Sequence, residues 1–573
     1  MAVPEQGRRV DFFHQLDRKR TADVLPRITG QDIEQRLLQL AEFGGRKIPG
    51  TPEQPTRYAT NRLALSPEDH AARTQIIVPQ MKEAGATKII SHPFGIIGKF
   101  EGTDPNLAPI VLLSHTDTVP NGDMYDGVYG VEAAIAATKA MTEAGEKPKR
   151  TVLVISLTGE ESAGFGMALF GSRAMFQGLT DAELDSRSAR QGAKSIRETL
   201  LEQGVDIATV QQPIFGEGKP FQTPYAVLEL HVDQSGDLER KGVDVGVVEA
   251  IAAPVRHRVV IGNPLEVDHT TYPSTRYLKL DVAGKADHSG ATPMGPQRAD
   301  GLVATADALI DLLTFHPNIS IGDIAIPGQA INKIPGQTTT TLRITGNSRQ
   351  ETDELIRFLE TEIEAQNNLY AQSTTAFGPS PISLEEVDSS QVTTNFYHPA
   401  DIDPAQVATL AFIKDVCDAA EDAGEGSVGT IGTIRIDKGQ FVLEVDVRGT
   451  NKRARDKAME AIRASADSLT KQDIPVNMGN PLPGSGEDPV TLDRYLVDLA
   501  EDTIKNLYLA RYTVCTSAAG HDAQNAQRAD APTVMLFVPS RNGIAHNPEA
   551  YTSPEHLEKG AKALAAVMLR LAA

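Results

Sequence analysis

The sequence predicts an α/β protein: a mixed, mostly parallel sheet flanked by helices and interrupted by an inserted α+β domain. Short apolar runs such as "IVLL" at 110–113 and "TVLVISL" at 151–157 are those of strands buried on both faces, and they alternate with helical segments. Near residue 272 this alternation gives way to strand, helix, strand, strand, helix, and it resumes near 492. At 573 residues the chain also exceeds what one core sustains, so two or more domains are expected.

In chain order, residues 1–30 read as an N-terminal arm. The stripe Ile33, Leu37, Leu38 and Leu40 predicts a helix over 31–43. Pro67 and Gly85 bracket a second over 67–84. Strands are expected at 88–100, 110–114 and 151–157, with helices at 130–144 and 193–203. From 272, "YLKLDVAG", a helix over 299–314, "ISIGDIAI", "TTTTLRITG" and a helix over 350–366 form one unit. The segment 404–471 repeats that order with a helix, "SVGTIGTIRI", "QFVLEVDVRG" and a helix, and Gly336 and Gly439 each precede the second strand of a hairpin. This predicts a duplicated βαββαβ-like module. The expected catalytic domain is therefore split between 1–271 and 481–573, ending in a helix over 555–572. The insertion is 272–480, with approximate repeats 272–385 and 386–480.

Composition narrows the function. Forty per cent apolar and 23% charged residues describe an ordinary globular chain. A net charge of −21 leaves no basic excess to neutralise phosphates, so nucleic acid is not an expected partner. No run approaches the 18 apolar residues of a membrane span. The charged stretch after Arg8 and Arg9 does not suit a secretory signal. The two cysteines, Cys417 and Cys515, form no CxxC unit and suit a reducing cytoplasm.

Chemistry concentrates just beyond the apolar runs. "VLLSHTDTVPNGDMYDG" delivers His115, Asp117 and Asp126; "TVLVISLTGEESAG" delivers Glu160 and Glu161; "YAVLELHVDQS" ends in His231; and "TVMLFVPS" leads through a loop to His546. Strand ends at one edge of a parallel sheet are where such folds build sites. Imidazole and carboxylate donors without thiolate suit zinc, with manganese, cobalt or nickel as alternatives. Five ligands with one shared carboxylate suit two metals, which would acidify a bridging water. The spare carboxylate of the Glu160–Glu161 pair would then move the proton, and Asp117 would orient the His115 ring. "GFGMALFG" lacks nucleotide-loop spacing.

These stretches, with "TNRLALSPEDHAAR", "GKADHSGATPM", "AGHDAQNAQ" and "SRNGIAHNPEAYTSPEHL", resemble the di-metal aminoacylase and exopeptidase superfamily. Within it the sequence is most similar to the N-carbamoyl-L-amino acid hydrolase, allantoate amidohydrolase and β-ureidopropionase (hydantoinase/carbamoylase) group. The resemblance implies that Asp126 bridges two metals, with His115 and His231 completing one site and Glu161 and His546 the other. It implies Glu160 as general base and then acid, Asp117 as orienting carboxylate, and Gln234 and His288 facing substrate. His231 at that ligand position favours the carbamoylase-like group over the peptidase branches. Asp233-Gln234-Ser235 departs from the more frequent Glu-Gln-Gly.

A lid hairpin in the family carries an asparagine and an arginine toward substrate, and here the two are divided. "NKIPG" gives Asn332, but Thr345 stands where arginine is expected; "VDVR" gives Arg448, but Arg435 stands where asparagine is expected. His398 is a candidate counterpart of His288 in the second repeat. A doubled lid would let one chain supply what a partner supplies in single-lid relatives, so a monomer is favoured over a homodimer. The expected protein is a cytoplasmic, binuclear metallo-hydrolase. Its bridging hydroxide and Glu160 would cleave a linear amide or ureido bond of a small N-carbamoyl- or N-acyl-amino-acid-like carboxylate. The alternative is an aminoacylase or dipeptidase of the same superfamily.

Overall fold

Strands Ile110–His115, Val152–Leu157 and Ala226–Asp233 are buried along their whole lengths, as their apolar sequences require. They belong to a computed structural model that describes residues 18–572 apart from 189–192, 291, 293, 295–297, 317, 373–381, 398–403, 425–426, 450, 484 and 508. His398 therefore lies outside the described residues. The described residues form two units, one from the chain up to Ala252 and from Pro489 onward, the other from Ala253 to Asp488.

The first unit holds a nine-stranded sheet. Its strands run in the spatial order Val490–Thr491, Val245–Ile251, Thr533–Pro539, Ala226–Asp233, Ile110–His115, Val152–Leu157, Gly95–Phe100 and Lys88–His92. Tyr512–Ser517 pairs with Val245–Ile251. The four central strands, from Thr533–Pro539 to Val152–Leu157, are parallel. Helix Val128–Glu143 packs on the sheet at Gly130, where a side chain would meet the Leu230 carbonyl oxygen at 2.0 Å. Helix Pro554–Leu571 lies beside it, and Tyr129 donates its hydroxyl to the Leu557 carbonyl at 2.8 Å. The expected strand at 88–100 is a hairpin, Lys88–His92 with Gly95–Phe100. The expected helix at 67–84 carries a wider π turn over Arg73–Ile77 between two α segments.

The second unit contains two four-stranded antiparallel sheets. One is built in chain order from Ser274–Ala283, helix Gly301–Phe315, Ile319–Ala325, Gln337–Gly346, helix Arg349–Gln372 and Ile382–Val387. The other runs Ala253–Ile261, helix Pro404–Ala423, Ser427–Asp437, Gln440–Gly449, helix Lys452–Lys471 and Val476–Pro481. Both have the same strand order, and each carries a bulge at the same place, between Ile321 and Asp323 in one and between Ile431 and Thr433 in the other. The units divide at 252/253 and 488/489, not at 271/272 and 480/481. Strand Ala253–Ile261 pairs with Gln440–Gly449 and Val476–Pro481, so it belongs to the second unit rather than to the first. The stretch 274–387 is thus inserted after the first strand of the other sheet, whose parts are not contiguous.

Glu132, in helix Val128–Glu143, is fully buried. Burial pushes its carboxyl up to about 7, against the opposing pull of Arg36, 3.9 Å away, and of the Gln80 amide. In an unfolded chain a glutamate titrates near ~4.3. Between those values the folded protein binds the extra proton, so stability is greatest below the lower value and falls as pH rises through the higher. The loss is roughly 3–4 kcal/mol. Glu132→Gln should remove it: urea unfolding at pH 8 should show the variant more stable than the parent, with the two converging at pH 4.5.

Candidate metal centre

Parallel pairing sets the carboxyl ends of four strands along one edge. The ladder pairs Leu113 with Glu229, so His115 lies level with His231 on the adjacent strand and on the same face. Their ring centroids are 5.7 Å apart. Leu157 pairs with His115, and the chain then turns through Gly159 into Glu160 and Glu161. On the other side Phe537 pairs with His231, and that strand leads on to His546.

Asp126 stands between two imidazoles. Its Oδ1 is 2.9 Å from His231 Nε2 and its Oδ2 is 3.1 Å from His546 Nε2. Glu161 Oε1 lies 3.0 Å from the same His546 nitrogen, and Glu160 Oε2 lies 3.9 Å from His115 Nε2. Two groups of three result: His115, Asp126 and His231, and Asp126, Glu161 and His546. Each group has ligand atoms within 4.8 Å of one another, and all of these residues are buried. Asp126 belongs to both groups.

The charges are matched to this arrangement. Burial opposes ionisation of Asp126, but His231 and His546 hold its carboxyl well below the usual range. Burial lowers the two histidines and their carboxylate partners overcome it, carrying His231 to about 9 and His546 to about 10. His115, without such a contact, falls to about 4 through burial. Glu160 is raised well above an ordinary glutamate, first by burial and then by Glu161, Asp522, Asp126 and Asp117.

The donors fit divalent cations. His115 Nδ1 donates to the Asp117 carbonyl at 3.0 Å, and His231 Nδ1 to the Val232 carbonyl at 3.0 Å. In the neutral rings this leaves lone pairs on the Nε2 atoms that face Asp126 and Glu160. Among the described residues, buried His115 Nε2 has no hydrogen-bond partner, which suits a metal-ligand nitrogen.

Residues 111–570 match Peptidase family M20/M25/M40. The chain belongs to that family. It is 29% identical to an N-carbamoyl-L-amino-acid amidohydrolase of Paenarthrobacter aurescens over 371 residues, 63% of this chain and 81% of that one. It is 27% identical to an allantoate amidohydrolase of Bacillus subtilis over 490 residues, 83% of this chain and 84% of that one. A crystal structure of a hydantoinase/carbamoylase-family amidase from Burkholderia vietnamiensis superposes with a TM-score of 0.59 at 20% identity. It covers 96% of this chain and 99% of its own, and at that identity the likeness is one of fold. This M20-family chain is a hydrolytic enzyme of the amidohydrolase kind.

One residue, Asp117, departs from the expected contacts. The Asp117 carboxylate lies 3.7 Å from the His115 ring, which is held instead by the Asp117 main-chain carbonyl. The carboxylate accepts from the amides of Gly159 and Glu161 at 2.9 and 3.1 Å, and so shapes the turn that carries both glutamates. Gln234 Nε2 donates to Asp126 Oδ2 at 3.0 Å, which places it against the shared carboxylate. His231 lies inside its strand, which continues to Asp233, rather than at its end.

The second unit gathers the divided lid residues. Arg448 Nη2 lies 2.8 Å from Asp446 Oδ2, and its Nη1 lies 3.3 Å from His288 Nε2. Ser289 donates its hydroxyl to Asp446 at 3.0 Å and its amide to the Asn332 carbonyl at 3.0 Å. His288 and Asn332 come from one repeat and Arg448 from the other, so the halves meet. Arg256, opposite Asp446 on the neighbouring strand, is a further buried cation here.

Arg62 and Asp69 lie within "TNRLALSPEDHAAR" without being singled out there, whereas His521, in "AGHDAQNAQ", is expected to pack near the site. Arg62 donates to the Thr116 carbonyl at 2.7 Å and to the Leu40 carbonyl at 2.9 Å, bracing the loop after His115. Thr116 in turn donates to Asp69 at 3.2 Å. His521 packs edge-on against His231, with centroids 4.6 Å apart, and its Nε2 lies 2.9 Å from the Ser517 hydroxyl.

Gly127 follows Asp126 with φ of +68°, and a Cβ there would lie 2.2 Å from His115 Nε2. Gly127→Ala should therefore displace the His115 ring. The left-handed backbone adds ~1–2 kcal/mol of strain. Metal analysis after dialysis should show less than the wild-type content, with the fold retained by circular dichroism.

Proposed function

We propose that the protein is a two-metal amidohydrolase that cleaves a linear amide or ureido C–N bond in an N-carbamoyl- or N-acyl-amino-acid-like carboxylate. The observation that carries this reading is the shared carboxylate of Asp126 between two three-ligand groups, with Glu160 beside them and outside both. The relatives named as N-carbamoyl-L-amino-acid and allantoate amidohydrolases support the choice of bond.

Zinc is the first choice for the two ions, which when bound supply Lewis acidity and lower the pKa of water from ~15.7 toward ~7. His115 and His231 with Asp126 would hold one, and Glu161 and His546 with Asp126 the other. Asp117 keeps Glu160 in place through the Gly159–Glu161 turn. Glu160, with its raised carboxyl, takes a proton from the attacking water and returns it to the leaving nitrogen. Such transfer contributes ~10²–10⁴-fold. Its side chain is 12% exposed against 3% for Glu161, which favours Glu160 as the member that exchanges protons.

Arg448 and His288 suit recognition of the substrate carboxylate by charge-assisted hydrogen bonds, with Asn332 beside them. Asp446 fixes the guanidinium from its other edge. The alternative, an aminoacylase or dipeptidase, draws on the doubled βαββαβ arrangement. An assay of ammonia release from N-carbamoyl amino acids against amine release from N-acetyl amino acids and dipeptides separates them. Highest kcat/KM is expected on the carbamoyl set, and preference for dipeptides would sink the reading. Glu160→Gln should lower kcat by at least ~10²-fold while keeping the metal content.

We read the two sheets of the second unit as copies of one lid. Thr345 and Arg448 occupy the same register position, each one residue before the terminal glycine of its strand. Since one chain brings Asn332, His288 and Arg448 together, a monomer is expected. Sedimentation equilibrium should return about the chain mass of 61.6 kDa, and twice that value would contradict it.

A further inference from the structure

The loop between His115 and Asp126 contains a third carboxylate, Asp123, which takes no part in either three-ligand group. It is 3% exposed, and both its oxygens are in use. Oδ1 accepts from the amides of Tyr125 and Asp126 at 2.8 and 2.9 Å. Oδ2 accepts from the amide of His546 at 2.9 Å, from a loop 423 residues further along the chain. A single side chain therefore bonds the backbones of two metal-ligand residues. The Asp123 carbonyl is itself held by the Thr60 hydroxyl at 2.7 Å, which fixes the hub from behind.

His546 adopts φ of +56°, a left-handed conformation uncommon for a residue with a side chain. Such a conformation persists only where its surroundings hold it. The bond from its amide to Asp123 is one such restraint, and it acts on the atom next to the unusual dihedral.

From this we infer that Asp123 is a positioning residue that locks the Asp126 and His546 loops together and so sets the affinity of the Asp126–Glu161–His546 site for its ion. The inference rests on the two-metal reading above. Asp123 does not reach the ion itself. It fixes the separation of two ligands contributed by distant segments, which is a condition for their sharing one cation. Orienting partners of this kind are worth ~10–100-fold in metal affinity.

All the amide contacts to Asp123 are donors, which makes Asp123→Asn a diagnostic replacement. Whichever way the new side chain turned, its own NH₂ group would have to face one of those N–H groups. Turned to preserve the Tyr125 and Asp126 bonds, it loses His546. A role in filling space would tolerate this isosteric change; a role as double acceptor would not.

The test is titration of chelator-stripped protein with zinc alone, followed by calorimetry, on the wild type, Asp123→Asn, Asp123→Ala and His546→Ala. The wild type should take up two ions. Asp123→Asn should keep one at wild-type affinity and bind the second ~10–100-fold more weakly, copying the pattern of His546→Ala, whereas Asp123→Ala, which also releases the Asp126 amide, should weaken both. Two ions at wild-type affinity in Asp123→Asn would overturn the inference, as would equal weakening of both in that variant or its loss of the folded state by circular dichroism. A wild type that binds no zinc would instead overturn the two-metal reading on which the inference stands.

Discussion

The molecule is organised around a buried excess of negative charge. Asp117, Asp126, Glu161, Glu229 and Asp522 are each at most 4% exposed, at or beside the same sheet edge. Removing carboxylates from water is costly unless cations or hydrogen-bond donors meet them. The protein answers in two ways. Backbone amides take up Asp117, Asp123 and one oxygen of Glu229, which receives the Ala523 amide at 2.7 Å. Asp126 and Glu161 are given imidazoles instead, and those histidines are driven to bind protons as tightly as pKa values of about 9 and 10 imply.

That requirement explains the architecture. Only parallel strands deliver several chain segments to one edge with their ends in register, and only strands buried on both faces keep that edge away from bulk water. The helix that begins at Val128 starts two residues after Asp126. Packing through Gly130 brings its amino terminus close to the sheet. In the second unit the opposite problem is solved: Arg256 and Arg448 flank one buried acid, Asp446, and hold it below the usual aspartate range despite burial.

How far this was legible in the sequence depends on the range of the interactions. The residues of the two three-residue groups were legible because each follows or interrupts an apolar run, a pattern set by the strand itself. The four central strands, the helices expected over 31–43, 130–144 and 555–572 and the strand–helix–strand–strand–helix order of the second unit were readable for the same reason, whereas helix Arg494–Asn506 was not. Strand Ala253–Ile261 was not, since "APVRHRVVI" carries two arginines and a histidine and its pairing partners lie about 180 residues away at Gln440–Gly449. Its place is fixed by cross-strand charges, with Arg258 on Glu444 at 2.7 Å. Asp123 was equally hidden, because a polar residue in a loop looks the same in sequence whether it faces water or bonds three amides. With Asp117 the residue was found but the wrong group was credited, since sequence does not distinguish a side chain's bond from that of its own carbonyl.

The adjacent glutamates show how the same electrostatics separates roles. Glu161 is pulled below an ordinary glutamate against its burial, because His546 lies 3.0 Å away. Glu160, its neighbour, is pushed the other way by burial and by Glu161 itself. Neighbouring carboxyls driven apart in this manner are the arrangement in which one stays ionised as a ligand while the other carries a proton. The separation does not depend on the identity of either residue, since both are glutamates. It depends on which of them faces an imidazole, and that is decided by the Gly159–Glu161 turn, whose amides Asp117 holds. The opposite shifts of the two carboxyls therefore follow from the turn, which Asp117 holds through the Gly159 and Glu161 amides.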